Sequence, residues 1–443
     1  MNKSTSFPKS CIIFIALAII CVFTSCNAPN NNRNLRICLD VPKKCGSEPT
    51  NIVFERFLST VAENGGPVDV EVEYIPQENG EKRESTLTRL RTEIMARTGP
   101  DLFIITTTPN RESIFPYPEK SMINQLFLPL DDYIEDSQFA QWESFSAQIM
   151  GAGQTNGKQF LIPLSCTFPI TCYRKADCTV SIPTDSTWDE IVSGDNLYIK
   201  NAQSLFGIGE NKLSGIGGLN FDGVLGELAD YKSEELAFSQ EELAKYVKTV
   251  LSLSDLDDAG EFSCLPDFFQ SYATNGFWED GSGINKLRPI RGDEPMVMVP
   301  QYNRMGGVTA TVFDYACINA NTKKGEDAFF IIDMLLSSDV QQYSDLVSSL
   351  FFTSYGAPVN DDLMQNSFPV KNVYDTSLTE ENFMEYCQLR ERVDSVNFYG
   401  KVNLYLDNLM LECWDINAGN KQGNIDELIA ETYRIMCMDL AES

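Results

Sequence analysis

Residues 90–107 read LRTEIMARTGPDLFIITT, and this stretch decides the fold class. Its apolar residues first recur at helical spacing, which predicts an amphipathic helix over 82–97 that ends at Gly99-Pro100. Consecutive apolar residues follow at 102–105, a pattern typical of a strand buried on both faces of a parallel sheet. A helix that leads directly into such a strand indicates an α/β fold.

The segments before residue 90 repeat this alternation. A short apolar strand is predicted at 35–39, and residues 52–63 place phenylalanine, leucine and valine on one helical face. Residues 68–75 read VDVEVEYI, and their strict alternation predicts a strand with one solvated face. The first third of the chain therefore predicts the order βαβαβ.

The rest of the chain reads as strands followed mostly by helices. Capping boxes at Thr187-x-x-Glu190 and Ser239-x-x-Glu242 begin two helices. Apolar runs predict two strands, at 296–299 and 310–313. Helices are then expected at 326–336, 380–396, 404–416 and 425–440, the last one behind an Asn424 cap.

The composition excludes several classes of function. The 443 residues include 63 acids against 34 Lys and Arg and no histidine, for a formal charge of −29. The lack of His removes serine-type triads, Cys/His dyads, His-ligated zinc and haem held by a proximal His. The acid excess argues against nucleic acid and anionic lipid surfaces as partners, because both favour Lys and Arg.

The first 33 residues predict export and lipid anchoring. An uncharged run at 11–24 follows two lysines, and its length fits a signal peptide better than a membrane span of about 20 residues. Residues 23–26 read FTSC and precede a polar tract, which resembles a bacterial lipobox. We predict a signal peptide at 1–25, acylation (palmitate) on Cys26 and a tether at 26–33. The alternative is an ordinary cleaved signal with an incidental cysteine.

Ten further cysteines follow Cys26. No CxxC pair occurs, and several cysteines lie in apolar runs such as RICLD, where cysteine behaves as a small buried hydrophobe. A disulfide framework is typical of small secreted domains, so we expect mostly free core thiols in a chain of this length.

A set of segments along the chain occurs in an order that resembles a known family. They are LRTEIMARTGPDLFIITT (90–107), FLPLDDYIED (127–136), NGKQFLIPLSCTFPITCYRKAD (156–177), TWDEI (187–191), CINANTKKGEDAFFIIDMLLSSDVQQ (317–342), GAPVN (356–360) and NIDELIAETYRIM (424–436). In this order they resemble the extracellular solute-binding proteins (family 1) of ABC importers, the group typified by maltose-binding protein. The likeness covers most of the chain after the predicted leader.

The resemblance implies a periplasmic-binding-protein-like fold of class II. Such a fold has two α/β lobes joined by three crossing segments, a C-terminal helical part, and a ligand cleft that closes by a hinge. Matching the segments places the crossings near 166–170, 308–311 and 356–359. The predicted lobes are 34–167 plus 310–357 for lobe 1, and 168–309 plus 358–443 for lobe 2.

Candidate ligand contacts follow the strands of lobe 1, since ligands of open α/β sheets bind beyond the carboxyl ends of the strands. The turn after 102–105 offers three hydroxyls, an amide and a guanidinium, which suit a polyol or a carboxylate: Thr106, Thr107, Thr108, Asn110 and Arg111. Gln77 and Glu78 hold the equivalent position after 68–75. The alternative is that these side chains cap the loops that follow.

The resemblance adds candidates at the first crossing and in lobe 2. Thr167 and Phe168 occupy the stretch where maltose-binding protein contributes an acid, and the missing carboxylate argues against a maltodextrin ligand. The apolar face of a sugar ring packs on aromatic rings, and the candidates for this role are Trp278, Tyr302, Tyr399 and Tyr405. Core packing is the alternative for each of them.

The resemblance implies a binding protein and not an enzyme. It would capture a small solute, in the first place a mono- or oligosaccharide, and deliver it to the permease subunits of an ABC importer, without cofactor or metal. It would be a monomer held by its lipid on the outer face of the cytoplasmic membrane. Polyamines, amino acids and peptides are the alternative ligands. A secreted glycoside hydrolase or another carbohydrate-active surface protein is the alternative function, because paired carboxylates need no His.

Overall fold

A seven-stranded mixed sheet organises the computed structural model of this protein. The structure describes residues 33–45, 48–108, 111–168, 170–174, 186–193, 221–254, 296–300, 302–341, 357–362 and 380–442. The predicted leader, Cys26, Asn110 and Trp278 lie outside these residues. The elements below belong to the unit formed by Leu35–Ser443.

The strands are short except for one. In chain order they are β1 (Leu35–Asp40), β2 (Lys44–Cys45), β3 (Glu48–Pro49), β4 (Val70–Tyr74), β5 (Leu102–Thr106), β6 (Gln154–Thr155), β7 (Lys158–Gln159), β8 (Leu161–Thr167), β9 (Ile170–Arg174), β10 (Ala229–Asp230), β11 (Glu235–Leu236), β12 (Met296–Pro300), β13 (Val308–Ile318), β14 (Ala357–Pro358) and β15 (Val393–Phe398).

The helices alternate with the strands at first, and the last two are the longest of the described helices. In chain order they are α1 (Thr50–Glu63), α2 (Glu81–Met95), α3 (Pro118–Ile123), α4 (Asp131–Glu135), α5 (Ala147–Gly151), α6 (Trp188–Ser193), α7 (Phe221–Leu225), α8 (Gln240–Ser254), α9 (Gly325–Leu335), α10 (Ser338–Gln341), α11 (Glu380–Arg390), α12 (Lys401–Asn417) and α13 (Ile425–Glu442). Over the ranges that the structure describes, no helix is long and apolar enough to cross a membrane.

The first strands and helices confirm the predicted βαβαβ order. β1 lies between β4 and β5 and pairs with both in parallel register, so that Leu39 faces Tyr74 on one side and Ile104 on the other. All residues of β5 are buried, as expected of a central strand, but the sheet around β5 is mixed, because β13 pairs with it in antiparallel register on the side away from β1. The carboxyl ends of these three strands therefore lie at one edge of the sheet.

The long strand β13 pairs differently along its length. Its second half, 314–318, is antiparallel to β5, and 314–317 pair with β8 on the other side. Its first half, 308–312, is parallel to β15. Every residue of β13 is buried, because β5, β8 and β15 all pair with this strand.

The chain leaves this sheet between β8 and β9. β8 pairs with β13 and β14, whereas β9 is antiparallel to β12 in a separate two-stranded sheet. This passage lies within 166–170, where a crossing segment is predicted. The lobe boundaries themselves stay a prediction.

The segment at 380–396 corrects one expectation from the sequence. The helix predicted there ends at Arg390, and the chain continues as strand β15. Val393 and Val396 are β-branched and stand in register with Val308 and Ala310 of β13. A long-range strand pairing that suits these side chains overrides the local helical spacing.

The predicted helix starts are confirmed. Thr187 Oγ1 accepts from the Glu190 backbone N–H at 3.2 Å, while Glu190 Oε2 accepts from the Thr187 N–H at 3.0 Å. Ser239 and Glu242 repeat this arrangement at 3.2 and 2.7 Å. Asn424 Oδ1 accepts from the second N–H of α13 at 2.9 Å. Local hydrogen bonding therefore marks where these helices begin.

The described cysteines support the expectation of free core thiols. Cys38, Cys317 and Cys413 are buried and free, and Cys437 is half-buried and free. Burial raises the pKa of the Cys413 thiol to about 12. A raised pKa keeps the thiol protonated, and a protonated thiol is a poor nucleophile. Cys413 therefore serves as a packing group.

Asp333 on α9 ties the loop 137–140 to that helix. The side chain is 3% exposed, and its oxygens accept from Ser137 Oγ at 2.5 Å and from the N–H groups of residues 138–140 at 2.8, 3.1 and 2.9 Å. Four donors compensate the desolvation of one carboxylate.

We expect Asp333→Ala to lower the free energy of unfolding by about 2–4 kcal/mol, because four donors of 137–140 lose a buried acceptor. Urea unfolding followed by circular dichroism measures the change. Asp327→Ala on the same helix is the matched control, since Asp327 is partly exposed and pairs with Lys324 at 3.1 Å. Such a surface pair contributes about 1 kcal/mol or less, so equal losses in the two variants would contradict the role given to Asp333.

Candidate functional site

Polar side chains meet at the carboxyl ends of β1, β4 and β5. Asp40 is the last residue of β1, and Gln77 Nε2 donates to Asp40 Oδ1 at 3.2 Å. Arg111 Nη1 donates to Gln77 Oε1, and Arg111 Nη2 lies 4.0 Å from Asp40 Oδ1. The structure thus brings together two residues that the sequence singled out, Gln77 and Arg111, around an acid that it did not.

A buried ion pair holds this edge of the sheet together. Arg83 of α2 donates to both oxygens of Asp40, at 2.9 and 2.7 Å, and the two side chains are 3% and 1% exposed. Arg83 also donates to the carbonyls of Pro76 at 2.8 Å and Glu112 at 2.6 Å. A two-pronged pair with further hydrogen bonds offsets the desolvation of both charges.

The sequence carries a signal for both Asp40 and Arg83, although it does not show that they pair. Asp40 directly follows a buried apolar strand, which is the same signal that selected the residues after β5. Arg83 lies one turn before Leu87 on the same helical stripe as Leu87, Leu90 and Ile94, so its spacing predicts a position on the buried face but does not identify its partner.

The threonine that ends β5 and the two that follow it contact different partners. Thr107 Oγ1 donates to the Phe313 carbonyl of β13 at 2.9 Å, and its side chain is almost fully buried. Thr106 is buried against Asp314, while Thr108 is half-buried and forms a bridge with Arg111. These bonds fix the path of the turn that leads to Arg111.

Asp314 is a fully buried acid where β5, β8 and β13 pair. Ser165 Oγ donates to its Oδ2, and its Oδ1 has no hydrogen-bond partner among the residues that the structure describes. Burial raises the pKa of Asp314 to about 7, and the hydrogen bonds from Ser165 and Thr106 oppose this increase. The carboxyl group is therefore partly protonated near neutral pH.

A pocket lies between the turn after β5 and the start of α12. Its lining consists of Thr107, Arg111, Glu112, Ser113, Pro116, Tyr399, Gly400, Lys401 and Leu404. Its volume of about 10 Å³ is the space of a single water molecule. Two distant parts of the chain thus form its walls, and three residues singled out from the sequence, Thr107, Arg111 and Tyr399, line it together.

Gly400 allows the two walls to approach each other closely. The Lys401 N–H donates to the Pro116 carbonyl at 2.7 Å. A Cβ atom on Gly400 would lie 2.9 Å from the same carbonyl oxygen, closer than a methyl group can normally come. The wall that carries Tyr399 and Lys401 therefore depends on a glycine at this position.

Tyr399 connects the pocket to the sheet. Its ring stacks on Phe313 with the ring centres 4.9 Å apart, and its hydroxyl donates to Asp407. Burial raises the pKa of Asp407 to about 6, and the hydrogen bond from Tyr399 opposes this increase. The aromatic ring is thereby held in one orientation at the pocket wall.

Asp439 of α13 accepts hydrogen bonds from side chains of both walls. Its Oδ2 accepts from Tyr117 at 2.8 Å, from Tyr405 at 3.0 Å and from Lys401 Nζ at 2.7 Å. Desolvation raises the pKa of Asp439, but these hydrogen bonds outweigh it and hold the pKa below its usual value. Tyr405 thus follows the lining residue Leu404, but its hydroxyl binds Asp439 and so links α12 to α13.

The other residues singled out from the sequence lie away from this pocket. Phe168 and Tyr302 are 0% and 1% exposed and pack in the core, so we leave both out of the proposed site. Glu78 is exposed, and its hydrogen bond with Lys43 lowers the pKa of Glu78. Thr167 is the last residue of β8, at the passage toward β9.

Comparison with known proteins gives matches at the level of structure. No family model and no curated protein matches the chain. A de novo designed cysteine esterase is 17% identical, with 93% of this chain and 98% of that chain covered and a TM-score of 0.55. The galacto-N-biose/lacto-N-biose I-binding protein of an ABC transporter from Bifidobacterium longum is 13% identical, with 92% and 97% covered and a TM-score of 0.51. A periplasmic oligogalacturonide-binding protein from Yersinia enterocolitica is 16% identical, with 92% and 99% covered and a TM-score of 0.52.

These likenesses show the fold. The chain has the two-lobe α/β architecture of periplasmic solute-binding proteins over nearly its whole length, which confirms the fold class predicted from the sequence. One fold can carry many activities, and a designed esterase shares this one, so the function has to be argued from the site.

Asp314 makes stability depend on pH. Because its pKa is raised from 3.8 to about 7 on folding, the folded state binds a proton that the unfolded state has lost between these values. The contribution of Asp314 to the free energy of unfolding is therefore fully present below about pH 4. It declines by about 2–4 kcal/mol as the pH rises to about 7. We expect Asp314→Asn to flatten this decline in urea unfolding measured at pH 4.5, 6 and 7.5.

Glu431→Gln is the control for this measurement. Its carboxylate is exposed, and the hydrogen bond from Arg434 lowers the pKa of Glu431, so its removal should leave the decline in place. An Asp314→Asn profile with the slope of the wild type would show that Asp314 does not titrate in this range.

Proposed function

We propose that this protein is the extracellular substrate-binding component of an ABC importer, a member of solute-binding protein family 1. It captures a mono- or oligosaccharide between its two lobes and delivers it to a membrane permease. The observation that carries this proposal is the pocket whose walls come from the turn after β5 and from the start of α12, in a chain with the two-lobe fold.

The chemistry of the pocket lining suits a sugar. The hydroxyls of Thr107 and Ser113 and the charged groups of Arg111 and Lys401 offer hydrogen bonds to sugar hydroxyls. The ring of Tyr399 offers a flat face for the apolar side of a pyranose. Solved neighbours of the same fold carry lacto-N-biose or oligogalacturonide binding in their names, which supports a carbohydrate ligand.

Binding requires the two walls to separate and close again. The pocket volume of about 10 Å³ is far below that of a sugar ring, so a ligand enters when the walls part. We propose that lobe 1 (34–167 plus 310–357) and lobe 2 (168–309 plus 358–443) move about the three crossing segments as rigid bodies. Hinge closure around a ligand is a common motion of two-lobe binding proteins.

The proposed place of action is the outer face of the cytoplasmic membrane. The lipobox-like sequence FTSC at 23–26 supports this, because it predicts a signal peptide at 1–25 and an acyl chain on Cys26. We propose that the two lobes act as a monomer on a short tether. Hydrolysis of ATP is assigned to separate subunits of the importer, because the chain has no Walker A sequence.

Sugar binding is tested by thermal shift of the purified protein against sugars, amino acids and polyamines. A sugar at about 100 times its dissociation constant should stabilise the native state by about 2.7 kcal/mol and raise the melting temperature by a few degrees. Tyr399→Ala should abolish the shift, because it removes the aromatic wall. Tyr433→Ala, a tyrosine of α13 that packs on Phe238 away from the pocket, is the control.

Two results would contradict the proposal. A shift with polyamines and none with sugars would exclude the proposed substrate class. Release of shorter sugars from an oligosaccharide, followed by chromatography, would indicate a glycoside hydrolase in place of a binding protein.

Lipid anchoring is tested in cells that express the full-length chain. Metabolic labelling with an alkyne fatty acid should mark the wild type and leave Cys26→Ala unlabelled, because the acyl chain is attached to that thiol. Cys437→Ala, which removes a cysteine of α13, controls for labelling elsewhere. Labelling of the Cys26→Ala variant at the wild-type level would exclude the lipoprotein assignment.

A further inference from the structure

We infer that the last turn of α13 is a clasp that ties the two walls of the pocket together, and that its release opens the pocket to a ligand. The inference rests on the function proposed above, because it concerns the entry of the proposed ligand. The first wall is the turn after β5, 107–116, and the second wall is the segment 399–404 at the start of α12. The clasp consists of Asp439 and Leu440.

One oxygen of Asp439 binds side chains from both sides of the pocket. The hydroxyl of Tyr117, which directly follows the first wall, donates to Asp439 Oδ2 at 2.8 Å. On the other side, Lys401 Nζ lies 2.7 Å from the same oxygen, and the hydroxyl of Tyr405 donates to it at 3.0 Å. Hydrogen bonds to a carboxylate are charge-assisted and are stronger than those between neutral groups. A single carboxylate therefore connects the two walls.

The backbone of the clasp is also bound next to the first wall. Lys120 Nζ donates to the Leu440 carbonyl at 2.6 Å and pairs with Glu234 at 2.7 Å. Leu440 lies in the last turn of α13, where carbonyls receive no hydrogen bond from within the helix and carry partial negative charge. Lys120 is 4% exposed, and both of these acceptors come from distant parts of the chain. The buried ammonium thus adds a second bond between the clasp and the first side of the pocket.

The body of α13 is fixed away from the pocket. The hydroxyl of Tyr433 donates to the Phe238 carbonyl at 3.0 Å, and the two rings lie 6.2 Å apart. Lys248 of α8 pairs with Asp426 in the first turn of α13 at 2.6 Å. The helix therefore has its base on α8 and on the segment before α8, and its last turn extends from this base to the walls of the pocket.

The bonds of the clasp are polar, which suits a contact that opens and closes. When the clasp is released, water replaces each partner, so the net free energy of each bond is modest. Direct bonds between the two sides are polar as well. The Lys401 N–H donates to the Pro116 carbonyl at 2.7 Å, and the Phe398 N–H donates to Glu119 Oε1 at 3.0 Å. With the clasp released, fewer bonds hold the walls, and the walls part more often.

Hydrogen exchange of backbone amides in the ligand-free, full-length protein tests the clasp. The amides of Phe398 and Lys401 bond across the two sides, whereas the Tyr399 N–H donates to the Val312 carbonyl of β13 at 2.9 Å. Asp439→Ala should speed exchange at the first two amides by one common factor of roughly 10- to 100-fold. Tyr399 should stay within about threefold of the wild type, because the second wall keeps its bond to β13. Two-dimensional NMR of the deuterated protein resolves the individual amides.

Glu431→Ala is the matched control for this measurement. Glu431 is an acid of the same helix, and it pairs with Arg434 at 2.6 Å within α13. This pair is exposed and touches neither wall, so the exchange rates should equal those of the wild type.

Each outcome decides the inference. Faster exchange of the two cross-wall amides in Asp439→Ala, and not in Glu431→Ala, supports the clasp. Wild-type rates in Asp439→Ala overturn it. An equal acceleration at Tyr399 overturns it as well, because Asp439 would then stabilise the whole fold and not the contact between the walls.

A second variant covers the case that Asp439→Ala does not fold. Lys120→Met then decides in its place, with Lys245→Met as its control, since Lys245 pairs with Asp189 at 2.6 Å on the surface. The exchange experiment contains no ligand, so a negative result leaves the proposed function to the thermal-shift panel. A negative panel likewise leaves the exchange rates to decide whether the clasp exists.

Discussion

The buried pair of Asp40 and Arg83 is the interaction on which the arrangement of the site depends. It joins the end of β1 to α2 and, through the other bonds of Arg83, to the backbone after β4 and after β5. Three separate turns are thus fixed by one guanidinium. A pair of this kind contributes less through its own energy than through the cost of any structure that leaves one charge buried alone.

A second constraint comes from β13. Its second half completes the sheet that begins with β1, and its first half pairs with β15 from the end of the chain. Phe313 in its middle stacks on Tyr399, so a strand in the sheet positions an aromatic ring at the pocket. The proposed movement of one wall relative to the other would have to be accommodated close to this strand, which begins at the predicted second crossing, 308–311.

The region around the pocket balances its charges in pairs. Asp40 faces Arg83, Glu112 faces Arg91, and Asp439 faces Lys401, in a chain that is strongly acidic elsewhere. Burial raises the pKa of two further acids, Asp314 to about 7 and Asp407 to about 6. Asp40, Glu112 and Asp439 are thus matched by cations, so the net charge of the chain does not by itself describe this region.

The sequence by itself determined the elements whose signals are local. Alternation and apolar runs gave the βαβαβ order, Thr187 and Ser239 fixed two helix starts, and the strand-end rule selected Gln77 and Arg111. Tertiary structure decided what depends on distant partners: β15 formed in place of a helix because β13 lies beside it, and Phe168 became a core residue. It also made Arg83 a central group by burying it against Asp40. Local hydrogen bonding and periodicity act within a few residues, whereas pairing and burial depend on contacts that the order of the residues does not display.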